Sequence, residues 1–246
     1  MALVTDEAVT LAASDYSETS QIVSLMTLRN GKVRLIAKGS KRPKNPFGGR
    51  IDRLEVAQAV FTIGHRGGLG QLTELSVTDP LPGLRQSLPP FYAASCLAEL
   101  ILAATLDLDP HPELFKIAVH TLQRLSCGDD SAILMYRFEA RMLRILGLMP
   151  EVRTCVACRR ARPQNRSGLF SAASGGLVCR QCAGDHGGGI AVSGKALDAL
   201  AFLAAADDRQ ADRVAMSPQT RGDVRRLLAE YWQHVLGRPV RAMRYL

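Results

Sequence analysis

The first eighty residues show short apolar or alternating runs separated by turn-forming residues. Such runs predict β-strands. Asn30–Gly31, between the second and third run, is a dipeptide that tight β-hairpins favour. The five predicted strands are VTLAAS, QIVSLMTL, KVRLIAKG, LEVAQAVFTIG and GQLTELSV. Five strands of this length predict a small barrel, either an OB-fold or an SH3-like barrel, over residues 1–80.

The hydrophobic period changes after the prolines at positions 80, 82, 89 and 90. Beyond them, apolar residues recur three or four positions apart, which predicts amphipathic helices. Ser193 and Ser217 stand where N-cap residues are expected. The predicted helices are PPFYAASCLAELILAATL, HPELFKIAVHTLQRL, SAILMYRFEARMLRILGL, SGKALDALAFLAA and SPQTRGDVRRLLAEYWQHVLG. The chain is therefore expected to be α+β, with a barrel followed by an all-α domain over residues 81–246.

A segment with four cysteines interrupts the helical half at residues 151–186. Its spacing is C-x2-C-x20-C-x2-C, and two such pairs can surround one tetrahedral zinc ion. Four thiolates close the coordination sphere, so a structural Zn²⁺, one per chain, is expected rather than a catalytic one. A redox motif would need only one pair. His186 is close enough in sequence to compete as a ligand, but with four cysteines present a surface histidine is expected. The predicted zinc ligands are Cys155, Cys158, Cys179 and Cys182.

Positive charge is concentrated in three blocks of a globular, 47% hydrophobic chain whose net charge is +8. Residues 29–53 carry nine bases and one acid, residues 153–180 carry six bases and no acid, and residues 221–246 carry six bases and two acids. Clustered bases are typical of proteins that bind the phosphate backbone of nucleic acids. The alternative is that each block is a solvated surface, but three blocks favour nucleic acid.

The densest block, GKVRLIAKGSKRPKNPFGGR, combines a strand with a glycine- and proline-rich loop. Its basic side chains can contact the phosphate backbone of a nucleic acid without recognising the nucleotide sequence. Phe47 is a candidate for stacking on a nucleobase. A flexible solvated loop is the alternative. The predicted DNA contacts are Lys32, Arg34, Lys38, Lys41, Arg42 and Lys44, followed by Arg159, Arg160 and Arg162 of the cysteine segment.

Several function classes lack their sequence signals. No apolar run is long enough for a membrane span, and the N-terminus has no basic region before an apolar run, so a cytoplasmic location is expected. GIAVSGKA resembles a phosphate-binding loop but has Ala196 where a hydroxyl should hold Mg²⁺. The sequence contains neither H-E-x-x-H nor G-x-S-x-G, and no catalytic residues are predicted.

Three stretches resemble the bacterial RecO family of DNA repair and recombination mediators. DYSETSQIVSLMTLRNGKVRLIAKGSKRPK is similar to its N-terminal segment, FYAASCLAELI to its first helix after the barrel, and CVACRR…GLFSAASGGLVCRQC to its zinc insert. One difference is GGRIDRLEVAQAVF, which lacks the Leu-x-Pro-(Phe/Tyr) turn common in the family. The resemblance covers most of the chain.

The resemblance implies an OB-fold, a helical domain with a zinc insert, and a non-enzymatic, nucleoid-associated function. It implies binding to single- and double-stranded DNA and annealing of complementary strands. It also implies RecR and the acidic tail of single-stranded-DNA-binding protein as partners, and indirectly RecA, which is loaded at gaps. Two alternatives are an RNA-binding, ribosome-associated zinc-ribbon module and a nucleotide-dependent enzyme that uses GIAVSGKA.

Overall fold

A computed structural model describes residues 3–64, 68–184 and 188–245. The chain forms two compact units. The first spans Met1–Ser131 together with Arg244–Leu246, and the second spans Ala132–Met243. In the described residues, no helix combines the length and the apolar character needed to cross a bilayer.

The first unit contains a closed barrel of five strands. The strands are β1 (Leu3–Asp15), β2 (Gln21–Thr27), β3 (Gly31–Ala37), β4 (Val56–Thr62) and β5 (Gly70–Asp79). They pair in the order β1-β2-β3-β5-β4, and β1 also pairs with β4, which closes the barrel. All pairs are antiparallel except β3 with β5. This arrangement confirms the five predicted strands and, between the two barrel types expected, agrees with the OB-fold.

Alternating residues of the strands fill the barrel. Val23, Leu25, Leu35 and Phe61 are all buried in one apolar cluster, as the two-residue period of a strand requires. The loop after β3 contributes Phe47 to the same cluster, where it is 6% exposed. The expectation that Phe47 stacks on a base is therefore wrong, because burying its ring in the core is more favourable than exposing it to solvent.

Two helices complete the first unit. They are α1 (Leu88–Ala104) and α2 (Pro112–Ser126), and each has a proline in its first turn, where a missing N–H costs nothing. A 3-10 turn at Pro82–Arg85 precedes α1. Its Gly83 lies against the end of α2, where an added Cβ would be 1.8 Å from the Ser126 carbonyl oxygen.

The second unit contains α3 (Ser131–Ile145), α4 (Gly194–Ala205), α5 (Asp208–Ala211) and α6 (Pro218–Leu236), with α3 starting at the unit boundary. Phe138 and Trp232 are among its largest fully buried side chains. The predicted caps are confirmed, since Ser193 Oγ accepts from the N–H of Ala196 and Ser217 Oγ from that of Thr220. The short α5 was not predicted from sequence.

A small antiparallel sheet, which the sequence pattern did not predict, begins in the cysteine segment and ends in the residues that follow it. Its strands are β6 (Gly168–Ser171), β7 (Gly176–Val178) and β8 (Ile190–Val192), in the order β7-β6-β8. Strands of three or four residues are too short to show a period. β8 lies inside GIAVSGKA and leads into α4, so that motif is a strand and a capped helix start.

The predicted division at residues 80 and 81 stays a prediction. The last barrel strand ends at Asp79 and α1 begins at Leu88, so the change of secondary structure falls near the predicted position. The compact units are drawn differently, because α1 and α2 belong to the same unit as the barrel.

Candidate metal centre and nucleic-acid surface

The first cysteine pair lies on a tight turn. The N–H of Arg159 donates to the carbonyl of Cys155 at 2.9 Å, and the N–H of Cys155 donates to the carbonyl of Arg160 at 2.9 Å. Arg159 has a φ of 60°, a left-handed conformation that non-glycine residues rarely adopt. The turn brings the sulfurs of Cys155 and Cys158 within 4.8 Å of each other.

The second cysteine pair, Cys179 and Cys182, also lies on a tight turn. The N–H of Cys182 donates to the carbonyl of Cys179 at 3.0 Å, and the N–H of Cys179 donates to the sulfur of Cys155 at 3.3 Å. All four sulfurs lie within 4.8 Å of one another, and those of Cys158 and Cys179 are 3.8 Å apart. Sulfurs that each bind one tetrahedral zinc at about 2.3 Å lie about 3.8 Å apart. The cluster therefore has the dimensions of a four-thiolate metal site.

Gly175–Gly176 and strand β7 hold the two cysteine turns together. Glu151 accepts an N–H from Leu177 at 2.7 Å, and Val156 donates to the carbonyl of Leu177 at 2.8 Å. A Cβ on Gly176 would lie 2.3 Å from the Glu151 carbonyl oxygen, and Gly175 has a φ of 76°. Gly175–Gly176 thus allow both the turn and the close approach of the Glu151 backbone, which precedes the first cysteine turn.

The thiols of Cys155 and Cys182 differ in acidity. Burial acts to raise the pKa of Cys155, but backbone N–H groups of Cys158 and Cys179 directed at its sulfur lower it to about 6. Hydrogen bonding with the Cys179 thiol raises the pKa of Cys182 to about 12. A cation among the sulfurs would favour the thiolate form of all four cysteines. The predicted competitor His186 lies outside the described residues.

Four of the predicted DNA contacts on the barrel have exposed side chains. They make no side-chain hydrogen bond or ion pair with any described residue. The four lie on β3 and on the loop that follows it, which we call the basic loop (residues 38–53). They are Arg34, Lys38, Arg42 and Lys44.

Lys41 is partly engaged within the barrel. Its ammonium group lies 3.0 Å from a carboxylate oxygen of Asp15 and 3.2 Å from the Ser17 carbonyl. Arg50 binds the same carboxylate at 2.9 Å. Lys41 therefore anchors the basic loop to β1, and only part of its charge is available to a ligand.

Lys32 lies where a DNA contact is not expected. It is 8% exposed, and its ammonium group donates to the carbonyls of Leu102 and Thr105 at 3.0 and 2.6 Å. It also lies 3.3 Å from a carboxylate oxygen of Asp107. Lys32 and Arg34 lie two positions apart on β3, but the end of α1 covers Lys32. We therefore leave Lys32 out of the proposed DNA surface.

The arginines of the cysteine segment that were predicted to contact DNA also fall into two groups, exposed and buried. Arg159 and Arg160 are exposed, and Arg160 donates to the side chain of Gln181 at 2.6 Å. Arg162 instead has a side chain that is 6% exposed and forms an ion pair with Asp198 of α4. It also donates to the Val152 carbonyl at 3.2 Å. Arg162 therefore organises the segment and is also left out of the proposed DNA surface.

Asp198 is a structural residue that sequence reasoning missed. Besides its ion pair with Arg162, it accepts the N–H of Asn165 at 2.8 Å. The loop from Arg162 to Arg166 is thus held to the first turns of α4. A single acid in a helix gives no sequence signal for such a contact.

Comparison with known proteins identifies the family. The model "Recombination protein O N terminal" matches residues 1–81, and "Recombination protein O C terminal" matches residues 85–244. The chain belongs to the RecO family. The family is one of DNA repair and recombination proteins, which confirms the predicted resemblance.

Curated relatives cover nearly the whole chain. A "DNA repair protein RecO" of Rhodopirellula baltica is 34% identical over 229 residues, which cover 89% of this chain and 84% of that protein. The protein of the same name from Salinibacter ruber is 32% identical and covers 94% of this chain and 88% of its own length. That of Bacillus subtilis is 26% identical, with 98% and 92% covered. The similarity therefore includes both the barrel and the cysteine segment.

Proposed function

We propose that this chain is a non-enzymatic DNA-binding protein that binds single- and double-stranded DNA and anneals complementary strands. The observation that carries the proposal is the exposure of four basic residues on an OB-type barrel and its basic loop, none of which has a side-chain partner among the described residues: Arg34, Lys38, Arg42 and Lys44. OB-folds bind single strands through basic surfaces. Because Phe47 is buried, backbone charge rather than stacking carries the binding in this loop.

Annealing requires two polyanionic strands to approach each other. Each phosphate neutralised by a lysine or arginine releases counterions, which lowers the cost of that approach. Phosphate contacts carry no sequence information, so such a surface serves any pair of complementary strands. Arg159 and Arg160 provide a second, smaller set of exposed bases in the other compact unit.

We propose Zn²⁺ as the metal of the four-cysteine site, one ion per chain, with a structural role. Four thiolates at this spacing are the ligand set of structural zinc sites. The ligands would be Cys155, Cys158, Cys179 and Cys182. In this role the ion holds the two turns and the β6–β8 sheet in place, and with them Arg159 and Arg160.

The proposed partners rest on family membership. They are RecR, with which the protein would help load RecA at gaps, and the acidic tail of single-stranded-DNA-binding protein. A place at the nucleoid follows from such a function. The proposed domains remain an OB-fold at residues 1–80 and a helical domain at residues 81–246 with a zinc insert at residues 151–186.

The test is DNA binding and annealing by a charge-reversed basic loop. Arg42→Glu with Lys44→Glu should weaken binding to single-stranded DNA of any sequence and reduce its salt dependence, since two phosphate contacts are lost. Arg213→Glu with Arg225→Glu changes the same number of exposed charges in the other unit and is the control. Equal affinities for the loop variant and the wild type at low salt would contradict the loop assignment.

The same measurements separate the alternatives. RNA of equal length binding much more tightly than single-stranded DNA would favour the RNA-binding module instead. ATP hydrolysis that is lost on mutation of GIAVSGKA would favour the nucleotide-dependent enzyme. Against the enzyme, Ser193 and Gly194 of that motif start α4, and an added Cβ on Gly194 would lie 2.0 Å from the backbone of Asn165.

A further inference from the structure

The second unit contains a cavity of about 610 Å³ that reaches the four-cysteine site, since Cys155 and Cys179 are among its lining residues. Volumes of this order are typical of pockets that hold small organic ligands. One wall is the loop from Arg160 to Gly168, and the other is formed by residues of β7 and the second cysteine turn. We call this space the insert cavity.

The lining of the insert cavity is cationic. Arg160, Arg162, Arg166 and Arg180 all line it, and no acid is among the described residues that line it. Arg162 is neutralised by Asp198 and Arg160 is held by Gln181. Arg166 and Arg180 are exposed, and the described residues offer neither side chain a partner.

Most of the remaining lining is apolar. Leu169, Leu177, Val178 and Ala191 contribute to it, together with Pro163. The combination of an apolar floor and unpaired guanidinium groups suits a ligand with a flat, weakly polar part and an anionic part. Guanidinium groups bind phosphate through paired N–H donors and stack on nucleobases.

The cysteine site does not cancel this charge. A Zn²⁺ ion with four thiolates carries two net negative charges, and Asp198 carries one. Residues 153–180 contain six arginines and no acid. Positive charge therefore remains in excess around the insert cavity.

We propose that the insert cavity binds one unstacked nucleotide of a DNA single strand, with its base on the apolar floor and its phosphates on Arg166 and Arg180. A base within a duplex is paired and stacked, so it cannot enter the insert cavity without leaving the helix. A duplex can therefore touch only the rim with its phosphates. This inference rests on the proposed DNA-binding function and adds to it a site that distinguishes an unpaired base from a paired one.

The experiment compares two strands that carry the same phosphates. One is a 20-nucleotide oligo(dT), and the other is a strand of equal length built from abasic units. Fluorescence anisotropy with the full-length, metal-loaded protein measures both affinities. We expect the wild type to prefer the strand that carries bases.

Two variants test the cavity by different means. Arg166→Ala with Arg180→Ala removes the unpaired guanidinium groups, and Ala191→Trp fills the cavity while keeping every arginine. Each should lower affinity for oligo(dT) about tenfold, equivalent to about 1.4 kcal/mol, and Ala191→Trp should leave affinity for the abasic strand unchanged. Arg213→Ala with Arg225→Ala is the matched control, because it removes two exposed charges of the same unit outside the cavity.

Several results would overturn the proposal. Equal losses for both strands in Ala191→Trp would mean that the cavity does not distinguish a base from an abasic unit, and unchanged affinities in both variants would mean that DNA does not use the cavity. If the variants lose binding to an acidic, apolar peptide but keep their affinity for both strands, the cavity is assigned to a protein partner. If the wild type binds neither strand, the proposed function fails; if the wild type binds and the variants match it, only this inference fails.

Discussion

The ammonium group of Lys32 lies 3.3 Å from a carboxylate oxygen of Asp107. It also donates to the carbonyls of Leu102 and Thr105, near the C-terminus of α1. Cations are favourable at the ends of helices, where carbonyls lack N–H partners. Lys32 thereby connects strand β3 to α1, within the first compact unit.

Replacing Lys32 should therefore affect stability rather than DNA binding. Lys32→Met leaves two carbonyls without their donor, and we expect a loss of about 1–3 kcal/mol in the free energy of unfolding. Arg34→Met is the matched control, because Arg34 is exposed on the same strand. It should change stability by less than about 0.5 kcal/mol and weaken DNA binding. Urea unfolding and fluorescence anisotropy measure the two effects, and the opposite pattern would restore Lys32 as a DNA contact.

Metal analysis of the protein purified under reducing, chelator-free conditions should find about one zinc per chain. Cys158→Ser should lower the zinc content sharply, whereas Cys127→Ser, at an exposed cysteine outside the cluster, should leave it unchanged. A zinc content near zero in the wild type would contradict the proposed metal.

Removal of the metal by a chelator should loosen the second unit. Its β6 residue Phe170 packs edge-on against Tyr231 of α6, with ring centroids 5.7 Å apart. The next residue, Trp232, is the one tryptophan of the chain and is fully buried. We expect its fluorescence emission to shift to longer wavelength on chelation and to recover when zinc is restored. Unchanged emission after complete metal loss would show that the helices around Trp232 do not depend on the metal.

Glu139 of α3 should make stability depend on pH. Burial raises its pKa to about 8 from the ordinary value of 4.5, and the Trp232 indole offsets this only in part. Below pH 4.5 both the folded and the unfolded chain hold the proton. Between pH 4.5 and 8 only the folded chain keeps it, so the free energy of unfolding falls as pH rises, by at most about 1.4 kcal/mol per pH unit.

Glu139→Gln removes this titration while keeping the shape of the side chain. We expect the variant to gain stability over the wild type as pH rises from 5 to 8, by about 1–3 kcal/mol at pH 8. Urea unfolding at several pH values measures the difference. Glu74→Gln, which removes an exposed carboxylate from β5, is the control. A difference between Glu139→Gln and the wild type that does not change with pH would contradict the assignment.

Two glycines should respond oppositely to alanine. A Cβ on Gly194 would lie 2.0 Å from the carbonyl carbon of Asn165, whereas a Cβ on Gly222 meets nothing within 4 Å. Gly194→Ala should therefore cost about 1–3 kcal/mol, because the Arg162–Arg166 loop must shift. Gly222→Ala, inside α6, should stabilise by about 0.5–1 kcal/mol, since alanine loses less entropy in a helix. Thermal unfolding compares the two, and destabilisation by Gly222→Ala would contradict the open space around it.

The strands, the long helices and the cysteine cluster could be predicted because each depends on local spacing. Val23 and Leu25 are two positions apart and both face the barrel core, and Ser193 and Ser217 cap the helices that follow them. The short strands β6–β8 and the four-residue α5 could not be predicted. Elements of that length contain too few residues to show a period, and tertiary contacts decide whether they form.

By itself, the sequence determined the five-stranded barrel, the helices that follow and the spacing of four cysteines, since these patterns repeat over short distances along the chain. Only the tertiary structure decided which basic side chains remain available to a ligand. Lys32 and Arg34 look alike in sequence, as do Arg160 and Arg162, yet Lys32 and Arg162 are buried against Asp107 and Asp198. The physical reason is that each buried base is neutralised by an acid distant in sequence, and a charge pattern along the chain carries no information about such pairs.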